Sequence, residues 1–372
     1  LAQDSRLYKM VPAILVLIFM HFMVQCYPFH LCQRRHILSR GNLMAVAPRL
    51  TIGTRGSPLA LAQAFETKRL LSQAFHELAD DSSIEIKKIM TKGDSILNQA
   101  LSDIGGKGLF TKELDVALLE GEVDLCVHSM KDVPTVLVGG TTLPCNLVRE
   151  KTNDVFICPK YESVGQLPDG AVVGSASLRR KAQLLAANPT LEVVTFRGNV
   201  QTRLKKVDNG LVDATLLALA GIKRLGMNGT LPNTHVMSWT DMLPAVAQGA
   251  IGIQCREGDH RVLAYLDALN HQPTKAAVDC ERSFLAQLDG NCRTPIAGQA
   301  YFNHAGKLNF QGLISKPDGT DMLRVTVEGG DASTAQQLGD DAGREIRRIA
   351  GNNFESYQMA VLAHQEATGR VI

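Results

Sequence analysis

From residue 50 onward the chain runs through one pattern twice, and that repetition limits the folds open to it. Residues 50–53 form a short apolar run, and Ser57-Pro58 follows as a helix cap with proline at the first helical position. Leu71, Ala74, Phe75 and Leu78 then keep the i, i+3, i+4, i+7 spacing of a buried helical stripe. A second run at 84–90, a helical stretch at 109–119 and a third run at 123–127 continue the alternation. The order then restarts: a strand at 171–174, a helix capped by Ser177 and reaching Asn188, and a strand at 192–196. A helix at 200–207 stopped by Asn209-Gly210 and a strand at 214–219 complete the second round. Strand and helix in turn predict a mainly parallel sheet covered by helices, here in two doubly wound α/β lobes of similar plan.

After about residue 272 the texture changes to a helix at 274–288, strand-like runs at 296–302, 307–314 and 322–328, and a helix at 332–349. This predicts a small α+β third domain. The expected divisions are a leader at 1–47, a first lobe at 48–148 joined by 245–268, a second lobe at 149–244 and a third domain at 269–372. At 45% hydrophobic and 20% charged residues, a chain of 372 can bury a core in each domain without disulfide or metal staples. A formal charge of +2, from 39 basic and 37 acidic residues, does not indicate a nucleic-acid binder.

The charge is unevenly placed. No acid occurs between Asp4 and Glu66, while Arg6, Lys9, Arg34, Arg35 and Arg40 precede residue 48, so the remainder carries 34 basic and 36 acidic residues. Residues 11–20 are a continuous apolar run, short for a membrane span and suited to a signal peptide; the acid-poor, Arg-containing stretch after Cys26 has transit-peptide composition. Signal-like then transit-like text predicts a plastid address, as for plastids enclosed by secretory membranes. A single anchor or a misassigned start is the alternative. The mature protein is expected to be a monomer without a membrane segment.

Eight cysteines contain no C-x-x-C pair and no zinc spacing, so no metal site is expected. Most of those in the body lie in apolar runs and read as buried thiols of a reducing compartment. Cys292 differs, because it stands in the polar turn Asp289-Gly290-Asn291-Cys292-Arg293-Thr294-Pro295.

In open α/β sheets, ligands bind at the carboxyl ends of strands. Arg55 and Ser57 fall there in the first lobe, as do Lys131 and Asp132; in the second lobe so do Ser177, Arg179, Arg180 and Arg197, with Arg203 a turn later and Arg224 after the last strand. Arginine forks and helix N-termini gathered in this way suit a ligand with several carboxylates or phosphates. Asp132 is the one carboxylate of the first lobe's set; beside Lys131 and facing arginines it is expected to stay charged. It either stabilises a cation and holds an N-H group, or braces the turn before Pro134. The stretch 91–108, with Asp94 and Lys107, reads as a lid, since its glycines lack phosphate-loop spacing. His128 reads as a packed strand residue, and Arg347 and Arg348 as a solvated helix face.

Taken together, TRGSPLALAQ at 54–63, GDSILNQALSDIGGKGLFTKEL at 93–114, VHSMKDVP at 127–134, GSASLRRKAQL at 174–184, RGNVQTRL at 197–204 and LDGNCRTPIAG at 288–298 resemble the porphobilinogen deaminase family, from about residue 49 to the C-terminus. The resemblance implies a transferase with two periplasmic-binding-protein-like lobes and a third domain. Such enzymes join four porphobilinogen molecules head to tail into hydroxymethylbilane, releasing four ammonia, on a dipyrromethane cofactor held by a cysteine thioether. Cys292 matches the attachment position and Asp132 the catalytic aspartate. Arg55, Arg179, Arg180, Arg197, Arg203 and Arg224 match arginines that bind acetate and propionate groups, with Ser57, Gln63, Lys131 and Ser177 beside them; Lys107 and Phe110 border the entrance by analogy. Ala247 stands where many bacterial members have glycine, and Ser175-Ala176 replaces a Thr-Ser pair; the alanine and CRTPIAG resemble plant and algal members. A two-lobed solute-binding module without catalysis is the alternative, and it would need neither Cys292 nor the third domain.

Overall fold

The computed structural model describes residues 49–95, 108–229, 231, 233–290 and 294–367, and the leader read at 1–47 lies outside them. The chain begins with β1 (Leu50–Arg55), α1 (Pro58–Ala74), β2 (Ile84–Ile89), the short α2 (Lys92–Ser95), α3 (Lys112–Leu119), β3 (Leu125–Ser129) and β4 (Thr141–Asn146). It then builds a second lobe from β5 (Asp154–Ile157), β6 (Val172–Gly174), α4 (Leu178–Ala187), β7 (Glu192–Val194), α5 (Val200–Asp208), β8 (Ala214–Ala218), α6 (Leu219–Arg224) and β9 (Thr234–Val236). β10 (Ile251–Arg256) and α7 (His260–Leu269) return to the first lobe. α8 (Gln272–Gln287), β11 (Ile296–Phe302), β12 (Leu308–Ile314), β13 (Leu323–Gly330), α9 (Ala335–Ala350) and α10 (Phe354–Ala367) form the third domain.

The two lobe sheets share one plan, β2-β1-β3-β10-β4 and β7-β6-β8-β5-β9. In each, three strands are parallel: β1 with β2 and β3, and β6 with β7 and β8. The fourth strand is antiparallel to its neighbours, where the pattern predicted a mainly parallel sheet. The reason is connectivity. β5 and β10 each enter a sheet directly from the opposite lobe, without the helical crossover that a parallel pairing needs.

α1 shows how the sequence places the site. Its cap is the Ser57 hydroxyl, which accepts from the Ala60 N–H at 3.3 Å, and Pro58 starts the helix. Ala60, Gln63, Ala64, Thr67 and Leu71 form the buried face, packed with Leu50 and Ile52 of β1. The expected stripe ran on to Leu78, but Phe75 is extended and ends the helix; Leu78 is buried from a separate 3-10 turn. In the third domain α8 and α9 lie over the antiparallel sheet β11-β12-β13, with the Phe284 and Phe310 rings 4.7 Å apart. A Cβ at Gly339 would run into the Cys280 carbonyl, so glycine there lets the two helices approach. The helix α10 was not anticipated. Nothing before it in the sequence marks a new start beyond the turn at Gly351–Asn353.

The two crossings between the lobes lie side by side, with the Glu150 N–H donating to the Gly249 carbonyl at 3.3 Å. Gly249 has φ +85°, and a Cβ there would sit 2.6 Å from the Glu150 carbonyl oxygen. Ala247, two residues earlier, has φ +60° without glycine's freedom. Its N–H donates to the fully buried Glu281 carboxylate at 2.5 Å, and Glu281 also accepts both Arg149 Nη groups at 2.7 and 2.8 Å and the Ala300 N–H at 2.7 Å. One carboxylate on α8 thus holds both crossings and β11. Glu281→Ala would leave Arg149 and two backbone N–H groups short of an acceptor. A loss of about 3–5 kcal/mol is expected, read as a lower urea midpoint, and a loss under about 1 kcal/mol would show that the crossings hold without it.

Candidate active site

Each polar residue of the cleft stands where a strand gives way to a turn. Arg55 is the last residue of β1, and its guanidinium carbon lies 4.1 Å from the centre of the Phe110 ring. β3 ends at Ser129, which exchanges hydrogen bonds with the buried Gln63 of α1 at 2.9 and 3.1 Å. The 3-10 turn Met130–Asp132 then presents Lys131 and Asp132, and Arg55 Nη1 stands 4.0 Å from Asp132 Oδ2. In the second lobe Ser177 caps α4, accepting from the Arg180 N–H at 3.4 Å, and Asn199 caps α5 and so sets the first turn that carries Arg203.

Arg179 and Arg180 are not open forks. Both are buried on the carboxylate of Asp154, at 2.8 Å from Arg179 Nη2 and 2.7 Å from Arg180 Nη2, while their Nη1 groups donate to the Leu243 and Leu216 carbonyls. Gln248 donates to the same carboxylate at 2.8 Å. Burial alone would raise the Asp154 carboxyl, but the two guanidinium groups outweigh it and hold it below the usual carboxylate range. The sequence reading took both arginines as ligands of a carboxylate; in the structure both are paired with Asp154, and of the two only Arg179 has a buried nitrogen, Nε, without a partner. Sequence reasoning missed Asp154. The available signal was an acid opening the apolar run Val155-Phe156-Ile157-Cys158, where an unpaired charge could not stay.

Lys131 and Arg203 differ: neither makes an ion pair among the described residues. Burial lowers the Lys131 ammonium's pKa, and Lys131 has no hydrogen bond or ion pair among the described residues, although it lies within electrostatic reach of Asp132, Arg180, Asp154 and Arg179. Arg203 is pushed down to about 10 by burial, with Arg180 and Arg197 acting in the same direction. Its one hydrogen bond among the described residues runs from Nε to the Gly198 carbonyl at 2.9 Å. These electrostatic couplings gather Arg55, Lys131 and Asp132 of one lobe with Arg179, Arg180, Arg197 and Arg203 of the other. Arg224 stands apart, donating to the Gly249 carbonyl at 2.7 Å near Glu150 and Glu66, and Ser57 serves as a cap. Part-buried cations without an ion pair among the described residues fit a ligand that brings its own carboxylates, as a dipyrromethane with acetate and propionate arms does.

Five body cysteines, Cys126, Cys145, Cys158, Cys255 and Cys280, are buried free thiols. Burial pushes Cys145 up to about 12 and Cys255 up to about 11, and raises Cys126 and Cys280 as well, so none of these four is activated for attack. Cys292 and Lys107 lie outside the described residues, as does the side chain of Asp94. The approach to Cys292 is nevertheless anchored, and by a residue read as merely solvated: Arg347 donates to the Gln287 carbonyl at 2.5 Å and to Asp289 at 2.6 Å.

The family model described as "Porphobilinogen deaminase, dipyromethane cofactor binding domain" matches residues 50–264, and "Porphobilinogen deaminase, C-terminal domain" matches residues 275–348. The chain is 54% identical over 322 residues to the chloroplastic porphobilinogen deaminase of Oryza sativa subsp. japonica, covering 86% of this chain and 89% of that one. It is 54% identical over 307 residues to the chloroplastic protein of Pisum sativum, covering 82% and 83%. It is 51% identical over 304 residues to the porphobilinogen deaminase of Nitrobacter winogradskyi, covering 82% and 94%.

Asp154→Asn is expected to cost about 3–5 kcal/mol, because two buried guanidinium groups lose their anion. The sign with pH follows from the depressed carboxyl: its stabilisation is complete above the unfolded value near 4 and shrinks as pH falls toward the folded value. Urea midpoints measured from pH 6 to pH 3 should therefore fall more gently in Asp154→Asn than in the parent. Parallel curves would show that the Asp154 pairing does not set acid stability.

Proposed function

The chain belongs to the porphobilinogen deaminase family, and on that premise we propose how its own residues divide the work of the reaction. The reaction is a transfer: four porphobilinogen molecules are joined head to tail, four ammonia leave, and water releases linear hydroxymethylbilane. Bound dipyrromethane supplies the pyrrole carbon to which the first porphobilinogen is joined. Cys292 is the attachment point, and Lys131, Ser177 and Arg203, with the fixed charge of Arg179 and Arg180, hold its carboxylates.

Arg55, Arg197 and Arg224 take acetate and propionate groups of incoming substrate, with Ser57 and Gln63 supporting the first-lobe wall. Each porphobilinogen brings two carboxylates, so a set of cations drawn from both lobes suits a chain that lengthens in the cleft. When the aminomethyl C–N bond breaks and ammonia departs, the substrate is left cationic and conjugated with its pyrrole N–H. Asp132 accepts that N–H and offsets the charge while the next C–C bond forms and the pyrrole α-proton leaves to water. Asp94, Lys107 and Phe110 are assigned to a lid; of these, Phe110 backs Arg55. The observation that carries this reading is the pair Lys131 and Arg203, cations of opposite lobes that make no ion pair among the described residues, beside Asp132, a carboxylate not tied up as Asp154 is.

We place the reaction in a plastid, supported by the chloroplastic relatives, and read the leader as a two-part address to a secondary plastid. The domain divisions at 148, 244 and 268 and a monomeric mature protein free of membrane complete the proposal. No described helix is long and apolar enough to cross a membrane.

The intact mass of the native protein tests the cofactor assignment: it should exceed the polypeptide by one dipyrromethane, and Cys292→Ala should remove the excess. A bare polypeptide mass with full ammonia release would sink the role of Cys292. Asp132→Asn should keep its fold and cofactor mass while turnover drops about 10²–10³-fold, and near-normal turnover would contradict the assigned role. Arg203→Leu should impair cofactor loading or elongation with little change in the urea midpoint, since no ion pair among the described residues is lost.

A further inference from the structure

Beneath Arg55 runs a hydrogen-bonded chain that these roles do not use. His128 is buried in β3, and the β1–β3 register, with Ile52 opposite Leu125 and Gly53 opposite Cys126, sets it beside Arg55 when continued by two residues. Its Nε2 lies 2.8 Å from Gln254 Oε1, and Gln254 Nε2 lies 2.9 Å from both Asp115 Oδ1 and Thr141 Oγ1. Thr141 spends its own hydroxyl proton on the Val138 carbonyl at 2.9 Å, so toward Gln254 it can only accept. The amide nitrogen of Gln254 must therefore face Thr141 and Asp115, its oxygen must face His128, and His128 must carry its proton on Nε2. Nδ1 is left as a lone pair.

We propose that His128 and Gln254 are positioning residues for the reaction: together they keep an uncharged imidazole of fixed tautomer under Arg55, so that Arg55 stays stacked on Phe110 and near Asp132. The proposal rests on the reading in which Arg55 and Asp132 serve the substrate. Among the described residues, the charged groups facing His128 are Arg55 from β1 and Asp115 from α3, and β10 presents the neutral Gln254. Burial pushes His128 down to about 4, with Arg55 acting in the same direction and the Gln254 bond opposing. An imidazolium here would set a buried cation against the partly exposed guanidinium of Arg55, which disfavours it.

The test uses the cofactor-loaded full chain with ¹⁵N-labelled histidine, the His128 signal being assigned by its loss in His128→Asn. The expected spectrum is the neutral Nε2–H form, unchanged between pH 8 and pH 5.5. Titration of His128 in the ordinary range near 6.5, or the Nδ1–H form, would overturn the proposal. In Gln254→Glu a carboxylate faces Nε2 and favours the charged ring. The His128 titration should then move up by about one unit or more, and kcat/KM should gain an acid limb at that same pH, carried mainly by KM. A charged His128 with parent-like kcat/KM would overturn it too. Should that variant not fold, Gln254→Met, of similar volume, frees the tautomer and should lower kcat/KM about tenfold without an acid limb, and no loss would sink the idea. The spectrum of the unsubstituted protein stands whatever Asp132→Asn does, so failure of the tautomer argument and failure of the underlying reading are told apart.

Discussion

The carboxylate of Glu281 is the interaction on which the three parts of the molecule depend. It is buried completely, and four donors meet it: both Nη groups of Arg149 on the first crossing, the Ala247 N–H on the second, and the Ala300 N–H of β11. A buried charge is costly unless its lone pairs are filled, and here they are filled from three segments distant in sequence. Removing any one of those segments would therefore be felt by the others. The line continues: Arg149 Nε donates to the Gln248 carbonyl at 2.9 Å, and the Gln248 side chain reaches Asp154, which fixes Arg179 and Arg180 at the start of α4. An unbroken run of polar contacts thus joins the third domain to the first turn of the helix that faces the cleft.

That run also explains the backbone at Ala247. An alanine at φ +60° costs roughly 1–2 kcal/mol relative to the right-handed region. The sequence reading noticed only that glycine is common at this position in bacterial relatives. The structure supplies the physics: the left-handed turn points the Ala247 N–H at Glu281, and the hydrogen bond to a buried charge is worth at least the strain it requires.

Most of the architecture was legible because it rests on local rules. Ser57 and Ser177 each precede a helix that their side chains do cap, and the apolar runs at 50–53, 84–90 and 214–219 are strands within a residue or two at each end. β4, β5, β9 and β10 escaped notice: β5 and β10 are delivered by the crossings from the opposite lobe, and β4 and β9 are the edge strands that lead out of each lobe into those crossings. Of the candidate site, the strand-end rule singled out Arg55, Lys131, Asp132 and Arg203, which the structure brings within electrostatic reach of one another through Arg180, but it says nothing about partners. Asp154 lies 25 residues before Arg179, and Gln254 lies 126 residues after His128. Such pairings are set by tertiary placement, which no window of sequence contains.

Partners decide what each cation of the cleft can do. A carboxylate arriving at Arg179 or Arg180 would have to share them with Asp154, and parting a buried, hydrogen-bonded ion pair costs several kcal/mol, more than one exposed contact returns. A carboxylate arriving at Lys131 or Arg203 would displace no ion pair among the described residues, and it would offset charge that desolvation disfavours. The same residue type therefore does two jobs within one cleft. The pair held by Asp154 fixes the start of α4, and on the proposed reading Lys131 and Arg203, without an ion pair among the described residues, would supply the affinity that changes as a ligand enters. A strand-end arginine predicts a function only once its counter-ion is known.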